Sequence, residues 1–115
     1  HALTADAYTF YWQYWHPGLP WEHAEDYFRR SPISLVGNVK TPTMVITGEA
    51  DLRTPMAESE QYYQALKLRQ VPTALARIPG ASHAIDQRPS QLIAQVLHSA
   101  GWFERHRQRE DAAGD

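Results

Sequence analysis

The stretch TPTMVITGEADLRTPMAESEQYYQALKLRQVPTALARIPGASHA, residues 41–84, constrains the fold more than any other part of the chain. Thr43 to Thr47 is short, apolar and β-branched, bounded by Pro42 and Gly48. A run apolar on both sides suits a strand covered on both faces, as in a parallel sheet. Thr54 then offers an N-cap hydroxyl, and Pro55 fits the first helical position, where its missing N–H costs nothing. Met56, Ser59, Tyr63 and Leu66 trace one face of the helix this predicts, which ends near Leu68. Val71-Pro72 marks a turn, and Thr73 to Ile78 reads as a second strand closed by Pro79-Gly80. A last helix is predicted from Pro89, with Leu92, Ile93, Val96, Leu97, Ala100 and Phe103 along its apolar side. Strand, helix, strand, helix is a βαβ unit with a covering helix. Its strands should run parallel through a right-handed crossover.

The rest of the chain arranges itself around this unit. Residues 1–40 form an aromatic lead-in and a helix, 41–106 carry the βαβα segment, and 107–115 read as a disordered polar tail. Tyr8, Phe10, Tyr11, Trp12, Tyr14, Trp15 and Trp21 need a surface to pack on, either the remainder of a domain or a substrate-facing wall. WEHAEDYFRR, residues 21–30, has acids early and Arg29 and Arg30 late, which suits a helix dipole, and Ser31-Pro32 ends it. Residues 33–40 read as a loop or a helical turn.

A formal net charge of -2 gives no basic face for nucleic acid or an acidic membrane surface. No apolar run approaches the ~20 residues that span a bilayer. The absence of cysteine removes disulfides and thiolate metal sites, and fits a reducing compartment without requiring one. His16 and His23, or His98 and His106, lack zinc-ligand spacing, and no Gly-rich phosphate loop occurs. No metal or cofactor is called for. The start, His1-Ala2-Leu3-Thr4, is neither a signal peptide nor a methionine start, so the chain reads as part of something longer.

Ligand sites in open α/β sheets form in loops beyond the carboxyl ends of strands. Here those loops carry Asp51 and His83. Adjacent strands lie about 4.8 Å apart, so the two loops can meet. A carboxylate accepting from one imidazole nitrogen fixes the tautomer and stabilises the imidazolium formed when the other nitrogen takes a proton. Position alone leaves the bland readings open: Asp51 as a turn or N-cap residue, and His83 as an exposed loop residue. A Rossmann-type ribose acid at position 51 lacks its glycine fingerprint.

The combination of features resembles the C-terminal end of the prolyl oligopeptidase family of serine peptidases, nearest its acylaminoacyl- and dipeptidyl-peptidase-like branches. The residues that carry the resemblance are a strand ending in Gly48, Asp51-Leu52-Arg53-Thr54-Pro55, a helix with Ser59 and Tyr63, Ile78-Pro79-Gly80, then His83. RRSPISLVGNVKTPT ahead of the strand adds to it. The resemblance implies the C-terminal part of an α/β-hydrolase fold, with an incomplete sheet and a β-propeller elsewhere in the parent. It implies Asp51 as orienting acid, His83 as general base and peptides as substrates. Arg53 becomes a substrate-pocket residue, a surface ion pair being the alternative. One departure is decisive. Ser31, Ser34, Ser59, Ser82, Ser90 and Ser99 all lack the Gly-x-Ser-x-Gly elbow, so the nucleophile is expected outside this chain, which alone should be inactive. An esterase or thioesterase on the same fold, or a non-catalytic interaction fragment, are the other readings. Two parallel strands leave an open edge, so the isolated chain is expected to aggregate or form homo-oligomers.

Overall fold

In a computed structural model that describes residues 1–111, the two apolar runs form a two-stranded parallel sheet, β1 (Thr43–Gly48) and β2 (Thr73–Ile78). Their register runs from Thr43 opposite Thr73 to Gly48 opposite Ile78. Both strands therefore end on the same edge, and both following loops leave from it. Between them lies a helix, Met56–Leu68, which with Tyr8–Phe10 (α1) and Ala24–Arg30 (α2) ahead of it is α3; Pro89–Asp111 is α4. α1 runs directly into a π-helical stretch, Tyr11–Trp15, and α2 is followed by a 3₁₀ helix, Pro32–Asn38.

The core is small. Ile78, Ala81 and Ile85 form its centre, with Ile46 and Ala94 packed against them, and Leu66 of α3 is fully buried. β1 is only half-buried over Thr43–Ile46, because two strands and two helices cannot cover both faces. The radius of gyration is 16.5 Å, where a compact chain of this length would have about 13 Å.

Three expectations change. α3 starts at Met56 with Pro55 outside it, and no side chain caps it, so the Thr54 hydroxyl is free for another partner. α4 docks through buried Gln91, which donates to the Pro79 carbonyl, and through Ala94; its apolar stripe of Leu92, Ile93, Val96, Leu97 and Phe103 faces outward. The period was legible, but the face that meets the sheet is the one carrying Gln91 and Ala94, which periodicity does not single out. α4 also continues through residues 107–111 of the stretch expected to be a polar tail; residues 112–115 of that tail lie outside the described residues.

In the aromatic lead-in, Tyr11 is buried and Trp12 half-buried, whereas Tyr8, Phe10, Tyr14, Trp15 and Trp21 are exposed. Together with the α4 stripe, they leave large apolar area in water, at a cost of roughly 25 cal/mol per Å². The 115-residue chain expressed alone should therefore aggregate or self-associate. Light scattering during a thermal melt checks this, and a monodisperse monomer with one cooperative transition would contradict it.

Candidate active site

The loop after β1 folds on a single side chain. Asp51 is buried, and its Oδ1 accepts from the backbone N–H of Arg53 and of Thr54, both at 2.8 Å. This is the local turn geometry that aspartate commonly stabilises. Its other oxygen, Oδ2, accepts from the Thr54 hydroxyl at 2.8 Å and from His83 Nδ1 at 2.9 Å. One oxygen of Asp51 thus serves the turn, and the other faces Thr54 and His83. Burial pushes the carboxyl up, but the donors from the Thr54 backbone, His83, the Thr54 hydroxyl and the Arg53 backbone outweigh it. The result lies below the ordinary carboxylate value.

His83 comes from the loop after β2, 32 residues further along the chain. Close backbone packing sets its approach. The Ala50 N–H donates to the Ala81 carbonyl at 2.9 Å, and the Glu49 N–H to Ile78 at 3.0 Å, so the two loops are tied together just past the strand ends. Gly80, at φ +62°, makes the turn out of β2. Ile85 sits at φ +55°, an unusual conformation for a β-branched residue, and its buried side chain holds the loop there against Ile78 and Ala81. With Nδ1 against the Asp51 carboxylate, Nε2 lies on the opposite side of the ring, and 57% of the side chain is exposed. The arrangement is a buried carboxylate in hydrogen-bond contact with an accessible imidazole.

Residues 1–110 match the sequence profile of the prolyl oligopeptidase family. The chain belongs to that family. It is 35% identical over 109 residues to an uncharacterized peptidase, YuxL, of Bacillus subtilis, an alignment covering 92% of this chain and 16% of that protein. It is 40% identical over 77 residues to the human acylamino-acid-releasing enzyme, covering 67% of this chain and 10% of the enzyme. With the enzyme of the same name from Arabidopsis thaliana it shares 37% over 86 residues, covering 72% and 11%. The chain thus spans a sixth or less of the length of these prolyl oligopeptidase-family relatives, and its two strands with flanking helices are part of an α/β-hydrolase fold.

Arg53, the third residue singled out from the sequence, points to the N-terminal segment. Its Nε and Nη2 hold the Asp6 carboxylate at 2.5 and 3.3 Å, both side chains being about half exposed. The hydrogen bond from Arg53 leads the causes that hold the Asp6 carboxyl below its ordinary value. The Asp6 N–H also donates to the Leu52 carbonyl, and the Tyr11 hydroxyl to that of Arg53. Sequence reading missed Asp6 and Tyr11, since nothing local announces a contact made across some forty residues. It placed Thr54 on the wrong partner, although a threonine three residues after an aspartate is a known reciprocal pattern.

A separate open groove of about 1130 Å³ lies away from the pair, with Tyr11, Trp15, Tyr27 and Tyr62 in its lining. Consecutive β1 residues, Thr43 to Ile46, line it. Their side chains alternate between faces, so the groove follows a strand edge rather than a face. It contains neither Asp51 nor His83. No group of three or more metal-ligating side chains converges among the described residues, and no helix there is long and apolar enough to cross a membrane.

Proposed function

We propose that Asp51 and His83 are the acid and base of a Ser-Asp-His triad, and that the protein carrying them is a serine peptidase acting on short peptides, as an acylaminoacyl- or dipeptidyl-peptidase does. The observation that carries this reading is the 2.9 Å contact between His83 Nδ1 and a carboxylate held by three further donors. The nucleophilic serine is supplied from outside residues 1–115, where no Gly-x-Ser-x-Gly occurs. Nε2 of His83 takes the serine proton as the hydroxyl attacks the scissile carbonyl and returns it to the leaving amine, while Asp51 stabilises the imidazolium. The remainder of the hydrolase domain would pack along the open β1 edge and the outer stripe of α4, with a β-propeller ahead of it. Arg53, half-exposed beside the pair, would contact the substrate while Asp6 holds its guanidinium.

The test uses the full-length parent. A serine-directed fluorophosphonate should label it and stop hydrolysis of short N-acylated or free peptides. Turnover of p-nitrophenyl esters without any peptide cleavage would move the assignment to an esterase. An unlabelled parent that turns over neither substrate would leave only an interaction module.

A further inference from the structure

The sequence offers the Thr54 hydroxyl as a cap for α3, yet the N-cap position is Pro55 and no side chain caps the helix. Instead Thr54 Oγ1 lies 2.8 Å from Asp51 Oδ2 and 3.4 Å from His83 Nδ1. An ionised carboxylate only accepts, so the hydroxyl donates to Oδ2. That is the same oxygen that receives Nδ1–H of His83 at 2.9 Å. Two donors therefore share one oxygen, while Oδ1 is already occupied by the backbone N–H groups of Arg53 and Thr54. Because those two amides fix the carboxylate, the hydroxyl is not needed to hold it in place. Its effect falls on the charge that Oδ2 offers to the imidazole.

We infer that Thr54 is a positioning residue that acts on His83 through Asp51: by donating to the shared Oδ2 it weakens the carboxylate's hold on the imidazolium and keeps His83 neutral, and so available as a base, to lower pH. The inference rests on the triad reading above. Hydrogen bonding that stabilises the carboxylate charge leaves less of it for the imidazolium. The other charged groups near the pair are Arg53 on the same loop and Asp6 from the N-terminal segment, which bind each other, and the phenol of Tyr11 lies beside them. None of these bonds the Thr54 side chain.

The experiment compares kcat/KM against pH for full-length wild type, Thr54→Val, Thr54→Ser and His83→Ala. Valine keeps the shape without the donor, and serine keeps the donor. In Thr54→Val the acid limb should move up by roughly half a pH unit, with the plateau within a few-fold of wild type. Thr54→Ser should hold the wild-type limb. An unmoved or downward-moving limb in Thr54→Val, or a serine variant shifted as far as valine, overturns the inference. If valine does not fold there, Thr54→Ala is the second hydroxyl-free variant and must show the same upward shift. His83→Ala separates the two layers. Retained turnover in it removes the triad reading and this inference together, whereas its loss beside an unmoved Thr54→Val limb removes this inference alone.

Discussion

In the full-length protein, His83→Ala is expected to lose about 10⁵-fold or more in kcat at an unchanged melting temperature, and Asp51→Asn to lose on the order of 10⁴. The first expectation follows from exposure. More than half of the His83 side chain is in solvent, so its removal forfeits chemistry and little packing. The second follows from the cradle around Asp51. Two backbone N–H groups point at Oδ1, so an asparagine there must keep its carbonyl oxygen on them and turn its NH₂ towards His83 and Thr54. That NH₂ donates where the carboxylate accepted. It favours the tautomer with the proton on Nε2, the nitrogen that has to be free as base. Steady-state kinetics on a short peptide with parallel melts check both. Turnover within tenfold of wild type in either variant would remove the pair from the mechanism.

The pH dependence has a definite sign. Asp51 is held below the ordinary carboxylate value, so its charge persists to lower pH than that of a free carboxylate. The stabilisation tied to the Asp51 charge is present above the unfolded carboxylate pKa of about 3.9. It is lost as the pH falls through the lower folded value.

What the sequence disclosed divides by range. β2 spans the predicted Thr73–Ile78, β1 extends one residue past its prediction to Gly48, and α4 begins at the predicted Pro89. Proline, glycine and β-branching act within a few residues, and so are written locally. The loops carrying Asp51 and His83 were legible from strand order, and their meeting followed from parallel pairing. The destination of the Thr54 hydroxyl was not, because a cap and a carboxylate compete for it and only tertiary geometry decides. The Asp6–Arg53 pair was illegible for the same reason. The outward stripe of α4 shows the limit from the other side. Periodicity finds an apolar face, but it does not say which side of the helix docks, and here the stripe is exposed.

The joint between the two loops sets the second large effect. A Cβ on Gly48 would lie 2.3 Å from the Ala81 carbonyl oxygen, 2.6 Å from that of Ser82 and 2.7 Å from the Ala81 carbonyl carbon. All three are backbone atoms, and Ala81 is fully buried, so no flexible side chain can yield. Gly48→Ala must therefore push the end of β1 away from the loop that carries His83. It should cost about 1–3 kcal/mol in stability as overpacking, and Gly48→Val more. The same displacement opens the distance between Asp51 and His83, and a shift of about 1 Å at such a pair lowers turnover by roughly 10². Gly48→Ala is thus expected to lower the melting temperature and kcat together, with KM changing less, although position 48 touches neither reacting group. Thermal melts and steady-state kinetics on the full-length protein measure both. Wild-type values for Gly48→Ala would show that the strand end and the histidine loop are not rigidly joined, and the orienting role of this packing would be withdrawn.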